Sequence, residues 1–258
     1  MRDISEIPFV PDLQLASLDI SDMYSNIPTD ELESIIYVLC KQQDIEDTLM
    51  REIMTIAKTI LTQNYYGFNG KTYLQTKGLA MGAPISSILS EMYLQYLENT
   101  KVLSILTKPG TERYFRYVDD ILLIYNRNHI DIREILISSN SFTPSLNFTL
   151  EQEIDNKLNF LDITLVKTDD KISFDIYRKP TTTDVIIPSD SCHPQEHKLA
   201  AIRYFLNRAN TYDLDTKSKQ AEMDTIKQIV QSNSYDVSIL DSINHTKPKQ
   251  KQVHRNKK

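Results

Sequence analysis

The sequence predicts an α+β protein in which helices pack against an antiparallel sheet, followed by a small, mostly helical region. Three observations predict this class. An apolar strand near the N-terminus precedes amphipathic helices, two β-prone runs meet at hairpin spacing near residue 119, and helical periodicity prevails after about residue 197. With 258 residues, of which 40% are hydrophobic, the chain can bury a substantial core.

Composition argues against several classes of protein. No run approaches the roughly 20 apolar residues that a membrane span needs, and the first residues lack the apolar stretch of a secretory signal. The two cysteines, Cys40 and Cys192, are far apart, which argues against a disulfide framework and against a cysteine-rich zinc site. These features predict an intracellular protein without a membrane partner.

The charge distribution is uneven. The chain has a net charge of −6, but residues 246–258 carry six basic and no acidic residues, so the remainder carries −6 − 6 = −12. This polybasic segment is predicted to be a disordered tail. It is either a solvated terminus or a segment for nonspecific phosphate binding or nuclear targeting.

The first elements follow from the apolar pattern. Residues 15–20 are apolar enough for a buried strand that ends near Asp19. A helix is predicted after Pro28, because acids lie in its first turn and apolar residues recur at helical spacing up to Cys40. A second amphipathic helix is predicted over 49–61, before a turn region at Gly67 and Gly70.

A glycine-punctuated loop over 78–84 leads directly into a third helix, which begins near Pro84. Two β-prone runs, 114–118 and 121–125, are then separated only by Asp119 and Asp120, which is hairpin spacing. Favoured hairpin turns place Gly or Asn where φ is positive. Two adjacent acids at the tip therefore suggest that chemistry has overridden local preference.

The remaining elements are shorter strands and then helices. Strands are predicted near 148–151, 160–166 and 172–177, and helices over 197–209 and 216–232. The composition changes after Pro180, which predicts three parts: a sheet domain over 1–180, a helical region over 181–245 and the basic tail over 246–258.

The strand-end and hairpin acids are candidate metal ligands. Mg²⁺ prefers oxygen ligands and is usually held by one or two carboxylates together with substrate phosphates. If both elements belong to one antiparallel sheet, Asp19, Asp119 and Asp120 converge at its edge, as a two-metal phosphoryl-transfer site requires. Taken singly, Asp19 is more typical of a turn or helix-capping residue, and Asp119 and Asp120 fit a turn as well as they fit a metal site. The order of strand, glycine loop and acidic hairpin makes the combination much more specific.

At these residues the sequence resembles reverse transcriptases, specifically those of Penelope-like retroelements. The resemblance spans roughly residues 13–240. It rests on the blocks Ser17–Pro28, Gln75–Ser86 and Tyr117–Asp120, and on later blocks at Phe160–Asp162, Tyr177–Thr181 and Ser191–Pro194 with Lys198. It implies a polymerase palm over 1–180, then a thumb or helix-turn-helix-like region. It also implies an RNA template, a DNA primer or RNA–DNA hybrid, and dNTPs as partners, with two Mg²⁺ ions or Mn²⁺ as cofactor.

The resemblance assigns roles to individual residues. It implies that the two ions are held by the side chains of Asp19, Asp119 and Asp120 and by the backbone carbonyl of Ile20. Tyr24 is implied to lie under the incoming sugar and to exclude a 2′-hydroxyl. The positions implied to bind nucleotide and template are Gln75, Gly78, Met81, Gly82 and Ser86, and those implied to contact primer or template phosphate are Arg178 and Lys179.

Plainer interpretations of these residues remain open. Tyr24 is alternatively a half-buried packing residue, the glycines a plain turn, and Arg178 and Lys179 a solvated charged pair. A zinc site at Cys192, His193 and His197 is disfavoured, because a fourth ligand is not evident in the sequence.

One part of the family pattern is expected to be missing. The resemblance implies a fingers region with basic triphosphate-binding residues before Asp19, yet eighteen residues precede it, with Arg2 as their one basic residue. The chain also lacks room for an attached GIY-YIG endonuclease. We therefore expect a piece of a longer polymerase or a truncated product, whose activity alone is in question.

Three functional hypotheses follow. The first is an RNA-directed DNA polymerase, which the retained carboxylates favour. The second is a catalytically inactive, retroelement-derived nucleic-acid-binding protein, which the missing fingers favour. The third is an RNA-dependent RNA polymerase, which Tyr24 and the Tyr-Arg-Lys-Pro block argue against.

Overall fold

The computed structural model describes Ile4, Ile7 and residues 12–102, 110–168 and 171–245. The basic tail predicted over 246–258 lies outside the described residues. The chain forms two compact units, one comprising residues 10–158 and the other comprising 159–258 together with 1–9.

The first unit contains the strands β1 (Leu13–Ser21), β2 (Tyr65–Phe68), β3 (Lys71–Leu74), β4 (Thr111–Tyr117), β5 (Asp120–Asn126) and β6 (Asn147–Gln152). Its helices are α1 (Met23–Asn26), α2 (Thr29–Gln42), α3 (Asp47–Thr62), α4 (Ser86–Leu97) and α5 (Ile132–Phe142), and a π-helical turn over Glu98–Val102 continues α4. The predicted strand at 15–20 and the predicted helices at 29, 49 and 85 are therefore confirmed.

Four of these strands form one antiparallel sheet in the order β4-β5-β1-β6. β1 lies in its interior and is buried along most of its length, because Leu13, Leu15 and Leu18 are all buried. Alternate residues of β1 and β5 join the main core with residues of α2, α4 and α5. Asp19 is the one exposed residue of β1, so the apolar strand delivers a carboxylate to the end of the sheet.

The helices bury different amounts of their apolar stripes. α2 buries Leu32, Ile35 and Ile36 against the core, whereas α3 fully buries only Met50 and Leu61. Ile56 of α3 is 60% exposed, although its helical spacing predicts a packed position. Periodicity identifies the apolar face of a helix, but contact with neighbouring elements decides how much of that face is covered.

The hairpin of β2 and β3 occupies the region that was predicted only as a turn. Asn69 and Gly70 both have positive φ, 48° and 72°, and join strands whose register is Phe68↔Lys71 through Tyr65↔Leu74. Asn-Gly is the favoured two-residue hairpin turn, because both residues tolerate positive φ. The turn signal was present in the sequence, and the flanking strands are four residues each.

The second unit contains β8 (Ile163–Lys167), β9 (Ile172–Ile176), α6 (Gln195–Thr211), α7 (Thr216–Ser232) and α8 (Ile239–His245), while β7 (Lys157–Phe160) spans the boundary between the units. β7, β8 and β9 form a small sheet, and α6, α7 and α8 share a separate apolar core. Phe174 of β9 pairs with Leu214, between α6 and α7. β9 and the helices therefore belong to the same compact unit, which begins at residue 159. The domain boundary predicted near residue 180 stays a prediction.

Among the described residues, no helix is both long enough and apolar enough to cross a membrane.

Candidate active site

Asp19 and Asp120 lie on neighbouring strands at one edge of the sheet. β1 and β5 are paired up to Leu18↔Ile121, and continuing this register by one residue places Asp19 opposite Asp120. Directly opposed residues of antiparallel strands point to the same face of the sheet. On its other side, Asp19 pairs with Thr149 of β6. The strand-end acid and the second acid of the hairpin are thus the residues that directly follow and precede the last paired positions of two neighbouring strands.

The hairpin turn lies one residue earlier than the sequence suggested. Tyr117 pairs with Asp120, so the two turn residues are Val118 and Asp119, and the predicted Asp119-Asp120 turn is wrong. Val118 has a φ of 57°, which a β-branched residue adopts only under strain, at about 1–3 kcal/mol. Conformational preference alone favours the register in which Asp119 and Asp120 form the turn, because Val disfavours positive φ. The observed register keeps Asp120 on the strand and leaves Asp119 at the tip.

Arg116 ties this strained turn to helix α4. Its guanidinium donates a hydrogen bond of 3.1 Å to the carbonyl oxygen of Val118. The same group forms two bidentate ion pairs, at 2.8 and 2.9 Å with Glu91 and at 2.6 and 2.9 Å with Glu98. Tyr114 donates a further hydrogen bond of 2.6 Å to Glu98. Bidentate pairs fix orientation as well as distance, so the turn is held in register with the helix.

Within this cluster the Arg116 side chain is shielded from water, with 9% of it exposed, whereas the Glu91 side chain is 44% exposed. Hydrogen bonding to Arg116 lowers the pKa of Glu91, and the two carboxylates raise the pKa of Arg116. The sequence interpretation missed all three residues. A signal was available, since Glu91 and Glu98 are seven residues apart and so share one face of the predicted helix.

The electrostatics of Asp19 reveal a second acid close by. Partial burial raises the pKa of Asp19, the negative charge of Asp119 raises it further, and a hydrogen bond from the backbone of Ile20 opposes both effects. Asp119 therefore lies close enough to Asp19 for repulsion between the two carboxylates. A divalent cation between them would remove this repulsion.

In the part of the chain that the structure describes, no three carboxylate, imidazole or thiol side chains form a preassembled metal cluster. The donor set nevertheless fits Mg²⁺, which is commonly bound by one or two carboxylates with the remaining positions filled by substrate phosphates and water. Asp19, Asp119 and Asp120 are the residues that would hold it, and their assignment as ligands stays a prediction.

The glycine loop is docked onto the segment that follows Asp19. Gly78 has a φ of 69°, and a Cβ added to it would lie 2.4 Å from the carbonyl carbon and oxygen of Ser25. The backbone of Leu79 donates a hydrogen bond of 2.6 Å to the carbonyl oxygen of Tyr24. Only glycine permits this approach. The predicted nucleotide-binding residues Tyr24 and Gly78 are therefore neighbours.

Gln75 shapes this loop from within. Its backbone amide donates to the carbonyl of Asn64 at 2.8 Å, which closes the base of the β2–β3 hairpin. Its side-chain amide donates to the carbonyls of Lys77, at 2.7 Å, and Leu79, at 3.2 Å. The side chain thus supports the loop, and its predicted contact with the template stays a prediction.

The remaining loop residues differ in their accessibility. Met81 is 69% exposed, and a Cβ on Gly82, whose φ is 87°, would meet no atom within 4 Å. Ser86 is buried, and its hydroxyl donates a hydrogen bond of 2.7 Å to the carbonyl of Ala80. Met81 and Gly82 are open to a ligand, whereas Ser86 stabilises the loop. Nucleotide contact stays a prediction for all three.

Arg178 and Lys179 lie in the second unit and have different surroundings. Arg178 forms a bidentate ion pair with Glu222 of α7, at 2.5 and 2.7 Å, and Glu222 is almost fully buried. Lys179 is exposed. The ion pair with Glu222 gives Arg178 a structural role. Of the two residues predicted to contact phosphate, Lys179 therefore has the more accessible side chain.

Residues 13–161 match the family described as reverse transcriptase (RNA-dependent DNA polymerase). This match covers more than half of the chain. The chain belongs to the reverse transcriptase family. A second stretch of the chain, residues 185–245, matches the animal helix-turn-helix domain and contains α6, α7 and α8.

Individual relatives support the same family. Telomerase reverse transcriptase of Euplotes aediculatus is 35% identical over 85 residues, which cover 31% of this chain and 8% of that protein. The fold is similar to that of Candida albicans telomerase, solved with a fragment of telomeric RNA, at a TM-score of 0.61 and 13% identity over 92% of this chain and 41% of that one.

The fold is also similar to two RNA-dependent RNA polymerases. That of sicinivirus has a TM-score of 0.53 and 19% identity over 89% of this chain and 50% of that one. That of a human picorbirnavirus has a TM-score of 0.58 and 11% identity over 92% and 45%. These likenesses confirm the predicted α+β palm fold with a helical C-terminal region. The chain spans half or less of each relative's length.

Proposed function

We propose that this chain is the palm and helix-turn-helix part of a Penelope-like RNA-directed DNA polymerase, which adds dNTPs to the 3′-hydroxyl of a primer on an RNA template. The observation that carries the proposal is the closeness of Asp19 and Asp119, with Asp120 at the end of the neighbouring strand and a glycine loop docked on Tyr24. Family membership supports nucleotidyl-transfer chemistry, and this geometry supports the three carboxylates as the residues that carry it.

The carboxylates provide a site for divalent cations. Two Mg²⁺ ions, or Mn²⁺, would supply charge neutralisation for the attacking hydroxyl and for the leaving pyrophosphate. The protein contributes position: β1 and β5 are buried, paired strands, and Arg116 fixes the turn that carries Asp119. Rigid placement matters because a shift of about 1 Å at a reacting centre costs up to a hundredfold in rate.

Tyr24 is proposed to select the sugar. It lies just after β1, and its backbone is fixed by the hydrogen bond from Leu79. In this proposal the half-buried aromatic ring of Tyr24 leaves no space for a 2′-hydroxyl, which favours dNTPs over rNTPs. The Penelope-like assignment rests on the resemblance of the sequence blocks and on the helix-turn-helix match that follows the palm.

A nucleic-acid-binding protein without catalytic activity is the second candidate. The match of residues 185–245 to a helix-turn-helix domain favours it, because such a domain binds nucleic acid without help from the palm. In both cases the proposed partners are RNA template and DNA primer, and the polybasic segment at 246–258 is consistent with a nuclear location.

Primer extension decides between the two. The chain is incubated with an RNA template, a DNA primer, dNTPs and Mg²⁺ or Mn²⁺, and compared with Asp19→Asn and Asp119→Asn. Asp155→Asn is the matched control, because Asp155 is exposed and lies at a positive φ that Asn also tolerates.

We expect extension by the wild type and by the Asp155 variant, and a loss of at least a hundredfold for the other two. Equal extension by all four proteins contradicts the assignment of the carboxylates. No extension by any of them, with nucleic acid still bound, favours the second candidate.

A further inference from the structure

The β2–β3 hairpin exposes aromatic side chains that the catalytic proposal does not use. Every position of both strands is exposed, and the large apolar residues among them have exposed fractions between 40% and 69%. They are Tyr65, Tyr66, Phe68, Tyr73 and Leu74. Three of them, Tyr66, Phe68 and Tyr73, lie on one face of the hairpin and form an exposed aromatic patch, and such patches mark interaction sites.

We propose that this aromatic hairpin, residues 65–74, is a stacking platform for unpaired bases of a single-stranded nucleic acid. Identification of that strand as the template rests on the proposed function, whereas binding of a single strand does not. The preferred ligand is single-stranded RNA with exposed bases.

The two faces of the hairpin differ. Tyr66 pairs with Tyr73, and Phe68 pairs with Lys71, so these four residues share one face. The rings of Tyr66 and Tyr73 are already stacked, with centroids 5.5 Å apart and planes inclined by 20°. A flat stacked pair offers a surface on which a base continues the stack. Lys71, two residues from Tyr73 along the same face, is placed to bind the phosphate of that nucleotide.

Charge favours a nucleic acid over other occupants. Residues 63–77 contain two lysines, Lys71 and Lys77, and no acidic residue, although the whole chain has a net charge of −6. This segment is therefore locally basic within an acidic protein. A combination of exposed aromatic rings with basic side chains is typical of surfaces that bind single strands without sequence preference.

Continuity with the glycine loop supports the same ligand. The hydrogen bond of Gln75 to Asn64 extends the hairpin ladder by one step, and the next residues reach the backbone of Tyr24 through Gly78 and Leu79. The hairpin is therefore only a few residues along the protein chain from the predicted nucleotide site. A nucleic-acid strand whose base stacks on the hairpin would lie beside that site.

The test is fluorescence anisotropy with two labelled ligands of equal length and charge. One is a 12-nucleotide single-stranded RNA, and the other is the same backbone without bases. Neither metal nor dNTP is added. The proteins are the wild type, the double variant Tyr66→Ala/Tyr73→Ala, Lys71→Gln and the control Tyr37→Ala, whose ring is also exposed but lies on α2.

The wild type and Tyr37→Ala are expected to bind the base-bearing strand at least tenfold more tightly than the abasic one, since stacking changes affinity by about tenfold per base. The double variant is expected to lose this preference while keeping its affinity for the abasic strand. Lys71→Gln is expected to weaken binding of both ligands and to reduce the salt dependence.

Three outcomes overturn the proposal: the double variant keeps the preference, the wild type shows none, or the hairpin proves to join two copies of the chain. The last is recognised by a concentration-dependent dimer in light scattering that the double variant abolishes. Failure of the proposed polymerase function gives a different result: primer extension is absent, while the preference for the base-bearing strand is intact. The replaced side chains are all exposed, so we expect every variant to retain the fold. Circular dichroism spectra of the variants check this.

Discussion

Replacement of Gly78 by alanine tests how closely the glycine loop must approach the segment after Asp19. The added Cβ would lie 2.4 Å from two backbone atoms of Ser25 and 2.5 Å from the carbonyl oxygen of Tyr24, where ordinary contacts begin at 3.4 Å. The backbones must therefore separate by about 1 Å. Separation on that scale stretches the 2.6 Å hydrogen bond from Leu79 to Tyr24 beyond bonding range.

The free energy of this change has three parts. A positive φ costs alanine about 1 kcal/mol relative to glycine. The lost hydrogen bond costs about 0.5–1.5 kcal/mol, and the steric shift about 1–3 kcal/mol. The expected destabilisation is therefore about 2.5–5.5 kcal/mol, measured by urea unfolding.

Gly82→Ala is the matched control. Gly82 also has a positive φ, 87°, and belongs to the same loop, but an added Cβ meets no atom within 4 Å. We expect it to lose only about 1 kcal/mol. Equal destabilisation by both variants would refute the close approach of Gly78 to Ser25. In primer extension, the Gly78 variant is expected to raise the KM for dNTP more than the Gly82 variant does, because only its loop moves away from Tyr24.

Three further predictions concern ionised groups. Arg116→Met should cost about 1.5–3 kcal/mol in urea unfolding, because it removes the charged hydrogen bonds that hold the Val118 turn; a loss below 0.5 kcal/mol would contradict it. Since burial and Asp119 raise the pKa of Asp19, its ionised form opposes folding above that pKa. Asp19→Asn should therefore raise the Tm in EDTA at pH 7, with a gain that vanishes as the pH falls through the folded-state pKa, whereas Mg²⁺ should raise the Tm of the wild type alone. Glu222→Gln should destabilise the second unit by about 3 kcal/mol, because it leaves the Arg178 guanidinium without its buried partner; unchanged hydrogen exchange in α7 would argue against this.

The components of the site were predictable because each one is defined by residues that are adjacent in the sequence. Asp19 follows an apolar run, and Gly78 lies in a loop bounded by glycines, so neither requires knowledge of distant contacts. The hairpin that carries Asp120 was also identified from two β-prone runs. Its register was not, because Val118 adopts a φ of 57° that its own preference opposes. Long-range hydrogen bonds from Arg116 hold that register, and they link residues 18 and 25 positions apart.

The sequence by itself determined which acids are candidate ligands, the order of the elements and the family, because periodicity and motif order can be read without a structure. Tertiary structure decided which residues support that site. Ser86, Arg178 and Gln75 carry polar groups that sequence reasoning assigned to ligands, yet each bonds within the protein. Whether a polar side chain faces a ligand or bonds within the protein depends on how the folded chain arranges its neighbours in space, and the residue pattern alone does not contain that information.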